Sequence, residues 1–352
     1  MLTQFPGFID VHVHLRDPGQ TQKEDFFTGT AAALAGGFTT VLDMPNNAVP
    51  VTTAERLAEK IASAKAKTVC DIGFYFGSLG DNIDQFPLIH DKVFGIKLYL
   101  NHTTGNFLIN GDILDKVFRA WVYPQPILTH SEEDTIGDVV KAVRAYGKRT
   151  HVCHVSSKKE LEPIIQAKEE GLPITCGVCP HHLFLTEDDV AHLGSYGRMK
   201  PSLKSKADQD FLWEHLRYVD TIESDHAPHT KEEKDSDTPP FGVPGLETTL
   251  PLLFMAEKEG RIGREDILTK LYDNPKRIFS LPTDPDTKVE IDLDEEFEIT
   301  NEGLHTKCGW TPFAGMKGKG RVKRVILRGK TVFENGNVLM EAGSGRIVRC
   351  RS

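Results

Sequence analysis

Two histidines that lie two residues apart could hold a metal ion. His12 and His14 belong to the segment 8–16, which is rich in β-branched residues. Successive side chains of a strand point to opposite faces, so both imidazoles point to the same side. Arg16 follows at the same parity, where it would meet an anionic substrate beside the metal. On its own such a pair is more often ordinary than functional, so the rest of the chain has to supply further ligands.

Further residues that bind metals or protons lie at the ends of other predicted strands. These are Lys97, His130, His154 and Asp225. In a barrel of parallel strands the carboxyl ends form one face, and the active site lies there. Each residue has an ordinary alternative, because the histidines suit a core position and Asp225 suits a helix cap. Their joint occurrence favours a metal centre.

Lys97 is the unusual member of this set, because it interrupts the apolar segment 94–100. A free ammonium is costly in a buried strand. One interpretation is a lysine whose amine reaches the barrel mouth along its apolar stem. The other is a neutral amine that takes up carbon dioxide. The resulting carbamate is an anion whose two oxygens can bridge two metal ions.

The elements that position these residues are alternating strands and helices. They predict an α/β protein, a (β/α)8 barrel of the TIM type over residues 6–283. A doubly wound sheet is the alternative, but it would place a Gly-rich phosphate loop after the first strand, where this sequence has none. Residues 284–352 predict a small β appendage packed on the barrel. The predicted barrel strands are 8–14, 39–44, 71–77, 94–100, 126–130, 151–155, 174–178 and 220–225; the helices are 23–35, 53–65, 135–146, 158–170, 205–218, 246–259 and 264–271; and the appendage strands are 289–293, 296–300, 321–327 and 331–333.

Composition limits the kinds of partner. The 352 residues include 42 basic and 51 acidic side chains, a net charge of −9, which argues against a nucleic-acid binder. No apolar run approaches the roughly 20 residues that span a bilayer, and no signal-peptide pattern opens the chain. Six cysteines do not form a disulfide-dense pattern. We therefore expect a cytoplasmic protein with reduced thiols, a small-molecule substrate, and no nucleic-acid or membrane partner.

The motifs in this order resemble the amidohydrolase superfamily and, within it, the dihydroorotases. The similarity covers nearly the whole chain and is greatest to the dihydroorotase domain of the multifunctional animal pyrimidine-synthesis protein. Arg16, Asn46 and His229 are the set that separates dihydroorotases from their relatives. The resemblance is carried by His130, His154 and the segments GFIDVHVHLRDPG (7–19), GIKLYL (95–100), PHHLFL (180–185), SDHAPH (224–229) and GVPGLET (242–248).

The resemblance implies a binuclear zinc centre. It implies the reversible cyclisation of N-carbamoyl-L-aspartate to L-dihydroorotate in pyrimidine biosynthesis, with Asp225 accepting and returning the proton. The implied ligands are His12, His14 and Asp225 for the first zinc, His130 and His154 for the second, and carbamylated Lys97 as the bridge between them.

The resemblance also implies the substrate contacts. Arg16, Asn46 and His229 would hold the substrate carboxylate, and backbone groups around Pro244 and Gly245 would bind the cyclic amide. The polar segment 101–106 would form a mobile lid with Gly105 as its hinge. Within it Thr103 would reach the substrate, and Thr104 is the second choice.

Two alternatives stay open. Hydantoinases, dihydropyrimidinases and allantoinases open related rings without needing a carboxylate clamp, so Arg16 argues against them. An inactive homologue that only assembles with aspartate transcarbamoylase would be expected to lose metal ligands. A homodimer and an association with aspartate transcarbamoylase are expected from the family. The chain suits either a domain of a larger polypeptide or a compact free-standing protein.

A third metal, as some animal relatives carry, is not expected. Cys153 matches the cysteine of that site, but Gly177 stands where its glutamate would be. Cys179 is interpreted as a buried thiol, and His181 and His182 as structural residues.

Overall fold

The predicted alternation of strands and helices is confirmed from Phe8 to Ile222. The computed structural model describes residues 2–103 and 108–350, so the predicted Thr104 and the Gly105 hinge lie outside the described residues. The strands, numbered in chain order, are β1 (Leu2–Pro6), β2 (Phe8–Val13), β3 (Phe38–Asp43), β4 (Asp71–Phe74), β5 (Phe76–Gly77), β6 (Ile96–Tyr99), β7 (Ile127–His130), β8 (Thr150–Val152), β9 (Ile174–Val178), β10 (Thr221–Ile222), β11 (Lys288–Glu298), β12 (Lys317–Leu327), β13 (Lys330–Glu334) and β14 (Asn337–Val338).

Two parallel sheets make up the barrel. One has the order β2-β3-β4 and the other β10-β9-β8-β7-β6-β5. They are continuous through Tyr75, whose N–H donates to the Asp43 carbonyl at 3.1 Å. At the opposite edge one parallel bridge joins Val13 to His226, and the His14 N–H donates to the His226 carbonyl at 2.8 Å. Since β4 and β5 together correspond to the one predicted strand 71–77, the result is the predicted arrangement of eight parallel strands, in which the last and first strands meet through a single bridge.

The strands form where apolar runs are buried on both faces. All four residues of β6 are buried, Lys97 among them. Such runs suit parallel strands that helices cover from outside. Several strands are shorter than their predictions, and the last one spans only Thr221–Ile222 where 220–225 was predicted.

Helices surround the barrel, and side-chain hydroxyls cap two of them. The Thr53 hydroxyl accepts from the Arg56 N–H at 3.2 Å, and the Ser157 hydroxyl from the Glu160 N–H at 3.3 Å. Within the described residues no helix is both long and apolar enough to cross a membrane. The α-helices are Phe26–Ala35, Ala54–Lys67, Phe86–Ile89, Gly111–Ala120, Ile136–Tyr146, Lys158–Glu169, Pro180–Phe184, Val190–Leu193, Lys206–Glu214, Lys231–Lys234, Thr249–Lys258, Arg264–Leu268 and Asn274–Phe279.

A five-stranded antiparallel sheet lies beside the barrel, with the order β1-β11-β12-β13-β14. Its edge strand β1 was not predicted, and it brings the start of the chain into the appendage: Leu2 is paired with Asp292 and Pro6 with Lys288. The two strands predicted at 289–293 and 296–300 are a single strand, whose register shifts between Asp292 and Glu296. The division of the chain at residues 283 and 284 stays a prediction.

Candidate active site

The structure brings the first group of predicted metal ligands together at the carboxyl ends of the barrel strands. The ligand atoms of His12, His14 and Asp225 all lie within 4.8 Å of one another. The Asp225 Oδ1 atom is 3.3 Å from His12 Nε2 and 3.0 Å from His14 Nε2. All three side chains are buried. Two nitrogens and a carboxylate converging in this way are a typical ligand set for zinc.

The second group adjoins the first. His130 Nδ1 lies 3.0 Å from His154 Nε2, and the His154 ring centroid is 5.1 Å from that of His12. Both side chains are buried, and among the described residues His154 Nδ1 has no hydrogen-bond partner. Because a buried polar atom without a partner is costly, this arrangement favours an occupant that binds imidazole nitrogens.

Lys97 lies under these histidines and is fully buried. Its Nζ atom is 2.9 Å from Cys153 Sγ, and the described residues include no carboxylate paired with it. This position does not suit a lysine that reaches solvent along its stem. A charge on this amine would have no carboxylate partner among the described residues, which is costly in a buried strand.

The charge states of the histidines fit a metal centre. Burial lowers the pKa of His14 to about 4 and also lowers the pKa values of His130 and His154. Neutral imidazoles have the free lone pair that a metal requires. For His12, burial is outweighed by the Asp225 carboxylate, which raises its pKa to about 10. The same carboxylate would attract a divalent cation placed between it and His12.

Glu223 supports this centre and was missed by the sequence analysis. Its carboxylate lies 3.3 Å from His12 Nδ1 and 3.3 Å from His151 Nε2, and it accepts from the His154 N–H at 2.6 Å. Glycine at position 177 leaves room for it, since a Cβ there would lie 2.6 Å from the Glu223 carboxyl carbon. The sequence did contain a signal for it: a glutamate within the predicted buried strand 220–225 would need partners.

Three residues at the site have left-handed backbone conformations. The φ angles are 63° for Arg16, 39° for His154 and 45° for Asp225. Such conformations cost non-glycine residues about 1–3 kcal/mol each and persist where surrounding contacts hold them. At His154 the hydrogen bond to Glu223 is such a contact. The fold therefore stores strain at the residues that aim their side chains into the cavity.

Arg16 forms the cationic wall of the same cavity and is only 5% exposed. Its Nε–H donates to the Pro228 carbonyl at 3.1 Å, and its Nη2 lies 3.2 Å from His229 Nε2. His229 stands behind Arg16 rather than in the cavity lining. Its pKa is lowered by burial and by the neighbouring Arg16 and Lys23 cations. A neutral His229 leaves the positive charge of Arg16 available to an anion.

The remaining predicted substrate residues divide into two groups. Asn46 and Thr103 line the cavity, and Asn46 Oδ1 is 2.6 Å from His14 Nδ1. Pro244 and Gly245 line a separate small cavity, in which the Gly245 N–H donates to His226 Nδ1 at 3.2 Å. The lining of the candidate active-site cavity also includes Tyr99, Lys200, Ala227, Phe241 and Gly242.

Comparisons with known proteins agree with this geometry. Residues 3–173 match the model of the amidohydrolase family. Among curated relatives, the multifunctional protein CAD of Squalus acanthias is 46% identical over 352 residues, which cover 99% of this chain and 16% of that protein. The dihydroorotase of Pyrococcus furiosus is 34% identical over 360 residues, which cover 98% of this chain and 84% of that protein. The chain thus spans about a sixth of the first of these relatives and most of the second.

Solved structures show the same fold. The L-hydantoinase from Arthrobacter aurescens superposes with a TM-score of 0.93 at 24% identity, with 99% of this chain and 89% of that chain covered. The inactive dihydroorotase-like domain of a Chaetomium thermophilum CAD-like multifunctional protein gives a TM-score of 0.84 at 27% identity, with 99% of both chains covered. On the strength of the sequence relatives and the family match, the chain belongs to the dihydroorotase family of the amidohydrolases.

Proposed function

We propose that this chain catalyses the reversible cyclisation of N-carbamoyl-L-aspartate to L-dihydroorotate. The observation that carries the proposal is the placement of Arg16, which lines the same cavity as His12, His14 and Asp225. A guanidinium binds a carboxylate through two parallel hydrogen bonds. Both compounds of this reaction carry a carboxylate that the reaction leaves unchanged, so a buried arginine beside a metal centre suits them.

The proposal includes two zinc ions and a carbamate on Lys97. The donor set supports it, because His12, His14 and Asp225 converge and His154 Nδ1 has no hydrogen-bond partner among the described residues. When bound, zinc would lower the pKa of a water molecule and polarise the amide carbonyl. His130 and His154 would hold the second ion, with carbamylated Lys97 between the two.

The side chains of the site have separate roles in this proposal. Asp225 would move the proton: burial favours its neutral form, but His12 and His14 outweigh burial and lower its pKa, so it is an anion able to accept one. Arg16, with Asn46 beside it, would orient the carboxylate. Thr103, at the end of the described segment 2–103, would contact the substrate from the cavity rim.

The direct test compares four substrates on zinc-loaded and chelated protein: L-dihydroorotate, dihydrouracil, hydantoin and allantoin. We expect zinc-dependent ring opening of dihydroorotate well above the other three, because only its ring carries the carboxylate that Arg16 would bind. A preference for the uncharged rings would contradict the proposal and assign the chain to the hydantoinase type.

Lys97→Ala tests the bridging role. We expect the zinc content to fall along with the turnover, because the bridge between the two ions is lost. Lys200→Met is the matched control, since Lys200 lines the same cavity without belonging to the ligand set. Unchanged zinc content in Lys97→Ala, measured by elemental analysis, would contradict the bridging role.

An inactive assembly partner is the second candidate, because one similar solved domain is described as inactive. The described residues oppose it, since the metal ligands implied by the resemblance are all present and gathered at one face of the barrel. Zinc binding without turnover of any of the four substrates would favour it over the proposed enzyme.

The proposal extends to compartment and partners. Cytoplasmic location is supported by six cysteines, none of which forms a disulfide among the described residues. A homodimer and an association with aspartate transcarbamoylase follow from the resemblance. Light scattering of the chain alone and mixed with aspartate transcarbamoylase would test both.

A further inference from the structure

A second group of possible metal ligands lies where β9 continues into a short helix. Cys179 immediately precedes the helix Pro180–Phe184, and His181 and His182 belong to its first turn. The ligand atoms of these three residues lie within 4.8 Å of one another. The group shares no residue with the His12, His14 and Asp225 set.

The group is buried, and its nitrogens lack hydrogen-bond partners. Cys179 is 0% exposed, His181 1% and His182 2%. Among the described residues, neither His181 Nε2 nor His182 Nδ1 has a hydrogen-bond partner. Buried polar atoms nearly always have a partner in the protein or an ordered ligand, so two such atoms in adjacent residues point to an occupant.

A hydrogen bond of the His182 ring prepares this residue as a ligand. His182 Nε2 lies 3.0 Å from the Pro201 carbonyl, which only accepts, so Nε2 carries the hydrogen and Nδ1 has the free lone pair. A backbone carbonyl that orients the ring through its second nitrogen is the usual support of a metal-binding histidine.

The charge states also suit a cation. Burial lowers the pKa of His181 to about 4 and the pKa of His182 well below its usual value, so both rings are neutral. Burial raises the pKa of the Cys179 thiol, and a bound metal would release that proton.

We propose that Cys179, His181 and His182 form a metal site that binds one zinc ion through a sulfur and two nitrogens. One sulfur and two imidazoles are ligands that zinc accepts in tetrahedral sites, with a water molecule or another group in the fourth position. The site is structural in this proposal. It ties the end of β9 to the segment that carries the Pro201 carbonyl, and Lys200 of that segment lines the active-site cavity.

The test uses the full chain and the variants Cys179→Ser and Cys176→Ser. Cys176 is the matched control, because it is equally buried three residues earlier, in β9, and its thiol donates to the Tyr218 carbonyl at 3.7 Å. After zinc loading and removal of loose metal, we expect Cys179→Ser to hold one equivalent less per chain than the parent, while Cys176→Ser holds as much. After cobalt loading, the Co²⁺–thiolate charge-transfer band should be lost in Cys179→Ser alone.

A third variant separates this sulfur from the one near Lys97. Cys153→Ser should keep the band if Cys179 is the ligand. Unchanged zinc content and an unchanged band in Cys179→Ser would overturn the proposal, and so would a parent without any thiolate band. If Cys179→Ser fails to fold, zinc-edge X-ray absorption of Cys153→Ser decides: a sulfur neighbour at about 2.3 Å supports the site, and its absence overturns it.

This site and the proposed function can fail separately. If the parent has no turnover but Cys179→Ser holds one zinc equivalent less, the metal site is supported and the proposed function is contradicted. If dihydroorotate is turned over and the parent and Cys179→Ser hold equal zinc, the proposed function is supported and the metal site is contradicted.

Discussion

Replacing Arg16 by lysine should weaken the recognition of dihydroorotate specifically. In the structure the Nε–H of Arg16 is engaged by the Pro228 carbonyl and Nη2 lies against His229. Within the described residues this leaves the two terminal guanidinium nitrogens, Nη1 and Nη2, for two bonds to a carboxylate. Lysine keeps the positive charge but offers no planar pair of donors, so one charge-assisted hydrogen bond is lost.

The size of the effect follows from the burial of Arg16, which is only 5% exposed. A hydrogen bond to a charged group contributes about 1.5–3 kcal/mol, equal to about 10- to 150-fold in kcat/KM. The assay is the ratio of kcat/KM for L-dihydroorotate to that for dihydrouracil, the same ring without the carboxylate. We expect Arg16→Lys to lower that ratio by this factor.

Arg198→Lys is the control for this experiment. The Arg198 guanidinium stacks on Phe241 at 4.8 Å from the ring centroid, and Arg198 is not part of the cavity lining. Its replacement should leave the ratio unchanged. An equal loss for both substrates in Arg16→Lys, or the same change of ratio in Arg198→Lys, would refute the carboxylate clamp.

Three further predictions concern buried carboxylates. Asp225→Asn should lower turnover in both directions by about 10²- to 10⁴-fold while the circular dichroism stays native, because asparagine tolerates the φ of 45° at this position; retained turnover would remove Asp225 from proton transfer. Glu223→Gln should weaken zinc binding about 10- to 100-fold, measured by chelator competition, because the bond that orients His12 is weakened. Burial raises the pKa of Glu160 to about 7, above its ordinary 4.5. Between these pH values the native state therefore binds more protons than the unfolded state. The free energy of unfolding should fall as the pH rises, by about 3 kcal/mol in all from this group. Urea unfolding at several pH values should show the slope reduced by this contribution in Glu160→Gln and unchanged in the control Glu162→Gln, an exposed position.

The barrel could be predicted from the sequence because its signals are local. Apolar runs bounded by turns and capped helices recur along the chain, and each can be recognised without knowing its neighbours in space. Leu2–Pro6 was missed for the opposite reason. It is a short segment whose only described strand partner is β11, and that pairing leaves no mark in the nearby sequence.

The residues of the site likewise divide into those that the local sequence predicts and those that it does not. His12, His14 and Asp225 could be placed from strand parity and strand ends, together with the family resemblance. The role of Glu223 could not be predicted, because its contacts with His12, His151 and His154 join residues that are far apart in the sequence. It also depends on the missing side chain at Gly177. Pro244 and Gly245 were assigned from the resemblance alone, and the structure places them in a neighbouring cavity.

The pairing of β1 with β11 has a consequence for the order of folding. During synthesis Leu2–Pro6 is made before the barrel, yet the strand that pairs with it is made only after the whole barrel. Until then its backbone donors and acceptors are an unpaired edge exposed to other chains. Because closure joins positions about 290 residues apart, it should come late and slowly. A ribosome-bound chain that ends before residue 288 should therefore have a barrel in which Leu2–Pro6 stays unpaired and sensitive to protease.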